Sequence, residues 1–443
     1  MKFDNIHEKH AFRIVVGLTV LVFLMVGVAG ATKSINDNAT GGDCTSIGTW
    51  NVASKTCTLT TDLTETIEID SDGITLNGNG HTITGSSTGN GILLLGRNGV
   101  TIKNTNVRKF IDGIYLSYSS NNTLIGNNAN SNYYYGIRLD SSKNNMLIGN
   151  NANSNNPNNG RMFISGYGIY LNSSSNNTLS GNNVKSNQPQ EGCSDIVDGI
   201  RLDSSMNNML IGNNASNNGF GIYLYASSYN TLIGNNATMN NRHGMFLNSF
   251  SNSNMLSGNN ANSNGNEGIM VASNNNMLIG NNASNNWYGI YLYNSHNNTL
   301  SGNNFSNNNG GGIAPDSSGI NTIYNNILNN DINIQIFWGT TSNTWNTIKT
   351  PGTNIIGGSY LGGNFWANPS GTGFSQTCTD ANGDGICDSP YVIDANNVDY
   401  LPLSDVIGRI APPTPPPPAP ELPTIALMGI GMLGMLFVVK KQK

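Results

Sequence analysis

Gly221-Ile222-Tyr223-Leu224-Tyr225-Ala226-Ser227-Ser228-Tyr229-Asn230-Thr231-Leu232-Ile233-Gly234-Asn235-Asn236-Ala237 is one copy of a unit that recurs through the middle of the chain. Its first landmark, a Gly followed by Ile or Met, stands at Gly91, Gly113, Gly136, Gly168, Gly199, Gly221, Gly244, Gly268, Gly289 and Gly312, with spacings of 22, 23, 32, 31, 22, 23, 24, 21 and 23 residues. Its second landmark, Leu-x-Gly-Asn-Asn, opens at Leu124, Leu147, Leu179, Leu210, Leu232, Leu256, Leu278 and Leu300, with a degenerate copy at Ile323. In Gly-Ile-Tyr-Leu and Thr-Leu-Ile-Gly the apolar residues alternate, which is a strand signal. Each unit therefore reads as two or three very short strands joined by Asn/Gly/Ser turns. So short a unit cannot bury its own apolar side, but stacked units can. The expected fold is all-β: a single-stranded right-handed parallel β-helix of about 10–11 coils with N- and C-terminal caps, roughly 50 Å long at about 4.8 Å per coil. A leucine-rich repeat has a similar period but needs a denser Leu pattern with one Asn per unit; here two Leu landmarks and an Asn pair recur.

The composition fits an ordered repeat. Of 443 residues 79 are Asn and 53 Gly, charged residues make up 10%, and the net charge is -5. That charge density is too low for a coiled coil, and the absence of a basic block argues against a nucleic-acid partner. Asn tolerates left-handed backbone at turns, and at equivalent places in successive coils its amides can stack. Asn127, Asn150, Asn182, Asn213, Asn235, Asn259, Asn281 and Asn303 form one candidate ladder.

The ends suggest export. Lys2, Lys9 and Arg13 precede an apolar run from Ile14 to Ala29 and a small-residue site at Ala29-Gly30-Ala31, the layout of a signal peptide over residues 1–31. Residues 32–62 read as an N-terminal cap, 63–349 as the β-helix, 350–404 as a C-terminal cap and 405–420 as a Pro-rich linker. Residues 421–443 carry an apolar stretch, Thr424 to Val439, followed by Lys440, Lys441 and Lys443, a transmembrane or sorting tail whose basic end would stay cytoplasmic. The body is accordingly expected outside the cell, anchored at its surface. Cys44 with Cys57 and Cys378 with Cys387 suit local disulfides there, leaving Cys193 over. Asn38, Asn121, Asn172, Asn176, Asn214, Asn236, Asn282, Asn297 and Asn304 begin glycosylation sequons.

Two resemblances follow from quoted residues. The opening Asp72-Gly73-Ile74-Thr75-Leu76-Asn77-Gly78-Asn79-Gly80-His81-Thr82-Ile83, the repeats, Gly362-Gly363-Asn364-Phe365-Trp366 and Asn396-Asn397-Val398-Asp399-Tyr400-Leu401-Pro402-Leu403 resemble the NosD-type β-helix family, also described as carbohydrate-binding and sugar-hydrolase repeats. That resemblance spans roughly residues 40–404. It implies the β-helix, and it includes an accessory role in copper enzyme maturation, for which the sequence shows no His, Met or Cys cluster. The tail, with Glu421-Leu422-Pro423 where the pattern has Pro-Glu-Phe-Pro, resembles a PEF-CTERM archaeal sorting signal. It implies removal by a sortase-like membrane enzyme and transfer to a surface lipid; a retained membrane anchor is the alternative.

Asp380-Ala381-Asn382-Gly383-Asp384-Gly385-Ile386-Cys387-Asp388 has the oxygen-donor spacing of the first part of an EF-hand-like loop, with Tyr391 where the last Glu belongs. Asp380, Asn382, Asp384, the Ile386 carbonyl and Asp388 are the candidate Ca2+ ligands, stapling the cap. No organic cofactor is expected.

The outward residue of Gly-Ile-x-Leu is Tyr115, Arg138, Tyr170, Arg201, Tyr223, Phe246, Met270 and Tyr291 in successive coils, and Asp140 and Asp203 stand two residues further on. Aromatic rings, Arg and Asp suit an extended glycan; the same stripe suits a neighbouring surface protein. Two units carry about nine extra residues, around Asn156–Gly166 and Gln188–Val197, containing Arg161, Glu191, Cys193 and Asp195 beside Asp198. The leading expectation is a non-catalytic surface protein that binds glycan or contributes to envelope structure. The rival is an anchored polysaccharide hydrolase or lyase using Asp198, Asp203 and Glu191, and a NosD-like copper accessory is the further alternative.

Overall fold

The computed structural model describes residues 32–155, 166–187 and 197–405. The expected signal peptide, the expected linker from residue 406, the tail and most of both insertions, including Arg161, Glu191, Cys193 and Asp195, lie outside the described residues. Within them the chain winds as a parallel β-solenoid of about eleven turns. One face is a 12-stranded sheet running from Thr32–Ile35 to Gly311–Asp316, and a second is a 13-stranded sheet from Gly48–Asn51 to Thr322–Tyr324. Between the second face and the next turn of the first lies a narrower third face. It is held by bridges that run Asn128, Asn151, Asn183, Asn214, Asn236, Asn260, Asn282 and Asn304, one residue per coil. Each coil is therefore three-sided.

The core is thin and repetitive. Ile222 and Leu224 enter from the first face, Leu232 from the second and Ala237 from the third, all with no exposed surface. Their counterparts stack above and below in register, as Ile200, Ile222 and Met245 do. Burying each Leu or Ile stabilises by roughly 1.5–3 kcal/mol, so the core grows only by adding coils.

The corners explain the Asn content. Each corner is a residue in left-handed conformation followed by an inward Asn: Asn207 (φ 57°) before Asn208, Gly212 (59°) before Asn213, Asn217 (57°) before Asn218. Three buried Asn ladders result, at intervals of five residues within a coil. The predicted ladder is present; those through Asn122, Asn145, Asn177 and Asn208, and through Asn132, Asn155, Asn187 and Asn218, were not anticipated. A ladder Asn works in two directions. The Asn182 amide nitrogen donates to Leu147 O of the preceding coil at 2.9 Å and to Asn213 Oδ1 of the next at 2.8 Å, while its backbone N–H also donates to Asn213 Oδ1 at 3.0 Å. A turn that interrupts sheet bonding thus keeps its polar groups partnered.

Both ends are closed. At the N-terminal end the helical turn Cys44–Ile47 and the hairpin Gly48–Asn51/Thr56–Leu59 cover the first coil, tied by the Cys44–Cys57 disulfide. At the other end Phe365–Ala367 adds to Ile327–Asn329, and buried Trp345 and Trp366 lie beneath the hairpin Tyr391–Asp394/Asn397–Asp399. Asp399 pins this cap by accepting hydrogen bonds from Asn364 N at 2.7 Å and Trp366 Nε1 at 2.8 Å. The Cys378–Cys387 disulfide is also formed. No helix among the described residues is long and apolar enough to cross a membrane.

Candidate functional site

Strand pairing puts Tyr115, Arg138, Tyr170, Arg201, Tyr223, Phe246, Met270 and Tyr291 in one straight column on the outer side of the first face. Ser117, Asp140, Asn172, Asp203 and Tyr225 form the second column beside it. A third column was missed: the residue before each Gly, namely Asp112, Tyr135, Tyr167, Asp198, Phe220, His243, Glu267 and Tyr288. Strict alternation conceals it, because this residue and the one three places later both serve the outer side, with Gly and Ile between them turned inward. The position can be read from the sequence once the Gly-Ile landmark is aligned.

The columns combine into two matching arginine stations. In the first, Arg138 donates to Asp140 Oδ2 at 2.6 Å and to Asp112 Oδ2 at 3.4 Å, and the Tyr115 hydroxyl donates to Asp140 at 2.9 Å. Its guanidinium carbon is 4.9 Å from the Tyr115 ring centre and 5.1 Å from that of Tyr135. In the second, Arg201 Nε donates to Asp203 at 2.9 Å, Nη1 to Asp198 Oδ2 at 3.1 Å, and Tyr170 donates to Asp203 at 3.0 Å. Here Arg201 sits between the rings of Tyr223, at 4.3 Å, and Tyr167, at 5.0 Å. Tyr291 repeats the Tyr–Asp link with Asp316 at 2.6 Å. The stripe is thus less open than an outward column suggests: Tyr223 is buried, and the Arg and Asp groups are braced against one another.

Burial perturbs the carboxyls. Asp198 is fully buried, and loss of solvation raises its pKa to about 7 against the opposing charge of Arg201. Asp112 is raised to about 6 for the same reason. The Tyr170 hydroxyl is raised by burial and by the Asp203 charge. Beyond the stations, Phe246 joins Phe220, Tyr223 and His243 in an aromatic group, with the His243 and Phe220 rings stacked at 5.0 Å and His243 paired with Glu267.

The expected catalytic pair is brought together, but around a cation. Asp198 and Asp203 both bind Arg201, which occupies the space between them that a glycosidic bond would need. Their proposed partner Glu191 lies outside the described residues.

In the cap loop Asp380 accepts from Asp384 N at 3.1 Å and Gly385 N at 2.8 Å, Asn382 from Asp384 N at 3.0 Å, and Asp388 from Ala381 N at 3.0 Å. Asp384 accepts from Ile386 N at 3.0 Å and is paired with the Lys349 ammonium. The four side chains assigned to Ca2+ are therefore engaged with backbone amides and one lysine. Among the described residues no three His, Cys, Asp or Glu side chains form a metal-holding group.

The repeats match two family models: one described as "Periplasmic copper-binding protein (NosD)", over residues 158–252 and 198–371, and one described as "Right handed beta helix region", over residues 48–197. The chain folds as a parallel β-solenoid whose repeats match these two models, each over part of its length. This β-helix protein is similar in structure to a mutant of the periplasmic alginate epimerase AlgG, at 17% identity and a TM-score of 0.45 over 69% of this chain and 83% of that one. It is also similar to the Azotobacter vinelandii mannuronan C-5 epimerase AlgE6 A-module, at 14% identity and a TM-score of 0.45 over 63% and 80%. For the Dettilon tailspike protein the values are 12% and 0.43, over 63% and 54%. No curated protein matches the chain.

Copper can be tested against the donors present. A soft Cu(I) site wants converging thioether, imidazole or thiolate groups. Met146, Met209, Met255 and Met277 do share an outer column of the second face, a grouping the sequence reading missed, but only Met255 and Met277 are on neighbouring strands. His81, His243 and His296 belong to separate coils, with Asp62, Glu267 and Gly319 as their respective partners. These described donors do not make a closed copper set.

Proposed function

We propose that this β-helix protein is a non-catalytic, surface-anchored protein that binds glycan along the outer side of its first face. The observation that carries the reading is the column of Tyr, Arg and Phe side chains repeated at one coil per step, with Asp acceptors beside it. Rings supply stacking surface, and braced Arg–Asp pairs supply fixed hydrogen-bonding groups for sugar hydroxyls. Export through the N-terminal segment and anchoring through the tail complete the proposal. The test is a glycan-array measurement on the secreted protein and on a variant with Tyr170→Ala and Arg201→Ala together. Tyr223 is left in place because it is buried. Array binding that falls at least tenfold in the variant supports the reading, and equal binding by both proteins removes the stripe from it.

The polysaccharide hydrolase or lyase reading has one observation in its favour, the raised pKa of Asp198 beside Asp203. Against it stand the full burial of Asp198 and the position of Arg201 between the two carboxyls. Release of reducing ends or unsaturated products from a bound polysaccharide, abolished by Asp203→Asn, would favour catalysis.

A further inference from the structure

The two arginine stations differ from ordinary ion pairs in three respects. First, each sets one guanidinium against two carboxyls, Asp112 and Asp140 around Arg138, Asp198 and Asp203 around Arg201. Neither station has positive charge to spare for an anion. Second, each presents donors and acceptors side by side at a part-exposed edge: the Arg138 and Asp140 side chains are 29% and 14% exposed, and those of Arg201 and Asp203 are each 19% exposed. Asp112 Oδ1, Asp140 Oδ1 and Arg138 Nε are unpartnered in the first station, and Asp198 Oδ1 in the second. The Asp112 and Asp198 side chains are 3% and 0% exposed, so their unpartnered oxygens lie beneath this edge, out of reach of water and of a ligand, and brace the arginines from below. An edge that carries guanidinium N–H donors beside carboxylate acceptors suits a group that can both donate and accept, which is a hydroxyl. A carboxylate, sulfate or phosphate can only accept.

Third, the stations are spaced. Arg138 pairs in register with Tyr170, and Tyr170 with Arg201, so the column reads Tyr115, Arg138, Tyr170, Arg201, Tyr223. Tyr and Arg alternate, and like follows like every second coil. Two steps of the sheet are roughly 10 Å. That is also the length of a disaccharide in a fully extended, flat polysaccharide ribbon, in which alternate sugars present the same edge.

We infer that Arg138 with Asp140 and Arg201 with Asp203 are successive subsites for an uncharged, extended polysaccharide ribbon lying along the rod axis, each reading every second sugar through its hydroxyls. The Tyr between them lies under the intervening sugar. This rests on the glycan-binding reading above and narrows it from any glycan to one class defined by linkage geometry and charge.

Isothermal titration of the full chain with three linear hexasaccharides tests it: an uncharged β-1,4-linked ribbon such as mannohexaose or cellohexaose, the coiled α-1,4-linked maltohexaose, and a charged ribbon of uronic acids. The uncharged ribbon is expected to bind at least tenfold more tightly than either of the others, and at least tenfold more tightly than its own disaccharide, which cannot reach both stations. Asp140→Asn and Asp203→Asn should each weaken it about tenfold. Tyr115→Phe, which removes only the hydroxyl that orients Asp140, is the milder variant to use if the others unfold. Equal or tighter binding of maltohexaose or the charged ribbon, or affinity independent of length, overturns this inference while leaving glycan binding intact. Failure of every glycan on the array and in titration overturns both.

Discussion

At the residue scale, buried Asn is the determinant of this protein. Asn213 Oδ1 accepts from Asn182, and Asn213 Nδ2 donates to Leu179 O at 2.9 Å and to Asn235 Oδ1 at 2.9 Å. Asn213→Ala would strand donors and acceptors on both sides at about 1–3 kcal/mol each. The expected loss is about 3 kcal/mol, read as a lowered denaturation midpoint. Asn241→Ala, at an exposed position without a side-chain role, should stay within about 0.5 kcal/mol. One ladder was legible in the sequence from the Leu-x-Gly-Asn-Asn motif. The other two were legible only as a spacing of five, and it takes the corner geometry to show that these amides point inward. Asp198 supplies a second residue-scale prediction. Burial raises its folded pKa to about 7, above the ordinary 3.8 of a solvated Asp, so the native state holds a proton that the unfolded chain releases. Stability therefore falls as pH rises from about 4 to about 7 and levels off above. Asp112 and Asp399, each raised to about 6, act in the same direction. Thermal melts from pH 4 to 8 should show a shallower decline for Asp198→Asn than for the parent.

At the scale of the coil, two glycines recur for different reasons. A Cβ on Gly221 would lie 2.5 Å from Gly244 O and 2.7 Å from Asn240 Nδ2. This glycine of the Gly-Ile landmark is required because a ladder Asn and the next coil already occupy its side-chain space. Gly234 has φ 61° and nothing near its missing Cβ, so it is required only for its left-handed turn. Gly221→Ala should cost about 3 kcal/mol through overpacking, and Gly234→Ala about 1 kcal/mol through backbone strain, compared as midpoints in a denaturant series. The landmark was plain in the sequence, but its cause depends on the neighbouring coil, about 22 residues away. The cap loop is the other element to test. Calcium there is a proposal with a definite requirement: the ion must displace Lys349 from Asp384. Lys349→Met should bind Ca2+ at least tenfold more tightly than the parent by titration calorimetry, and absence of heat with both proteins would remove the ion from the cap.

At the scale of the molecule, stability is a sum of coil-to-coil contacts closed by two different ends. Trp345, Trp366 and Asp399 cover the last coil, whose strand edges would otherwise be open to pairing with another chain. A chain stopped at Asn330 should self-associate, seen as oligomers by light scattering, whereas the full chain should not form them by that route. The low overall charge has a consequence at this scale too. With only 10% of residues charged, two arginine stations two coils apart are a marked concentration.

The amino-acid sequence by itself determined the repeat, its β character, the disulfide partners and the column of outward residues, because all of these are periodic or local. The tertiary structure alone decided how the columns combine. Asp112 and Arg138 are 26 residues apart, and Tyr170 and Asp203 are 33 apart, so their contacts exist only through coil stacking. The same stacking buried Asp198, set Arg201 between two carboxyls, and converted an expected row of free side chains into braced stations. Register is the physical reason: a solenoid turns a one-dimensional spacing into lateral neighbours, and those neighbours set charge and burial.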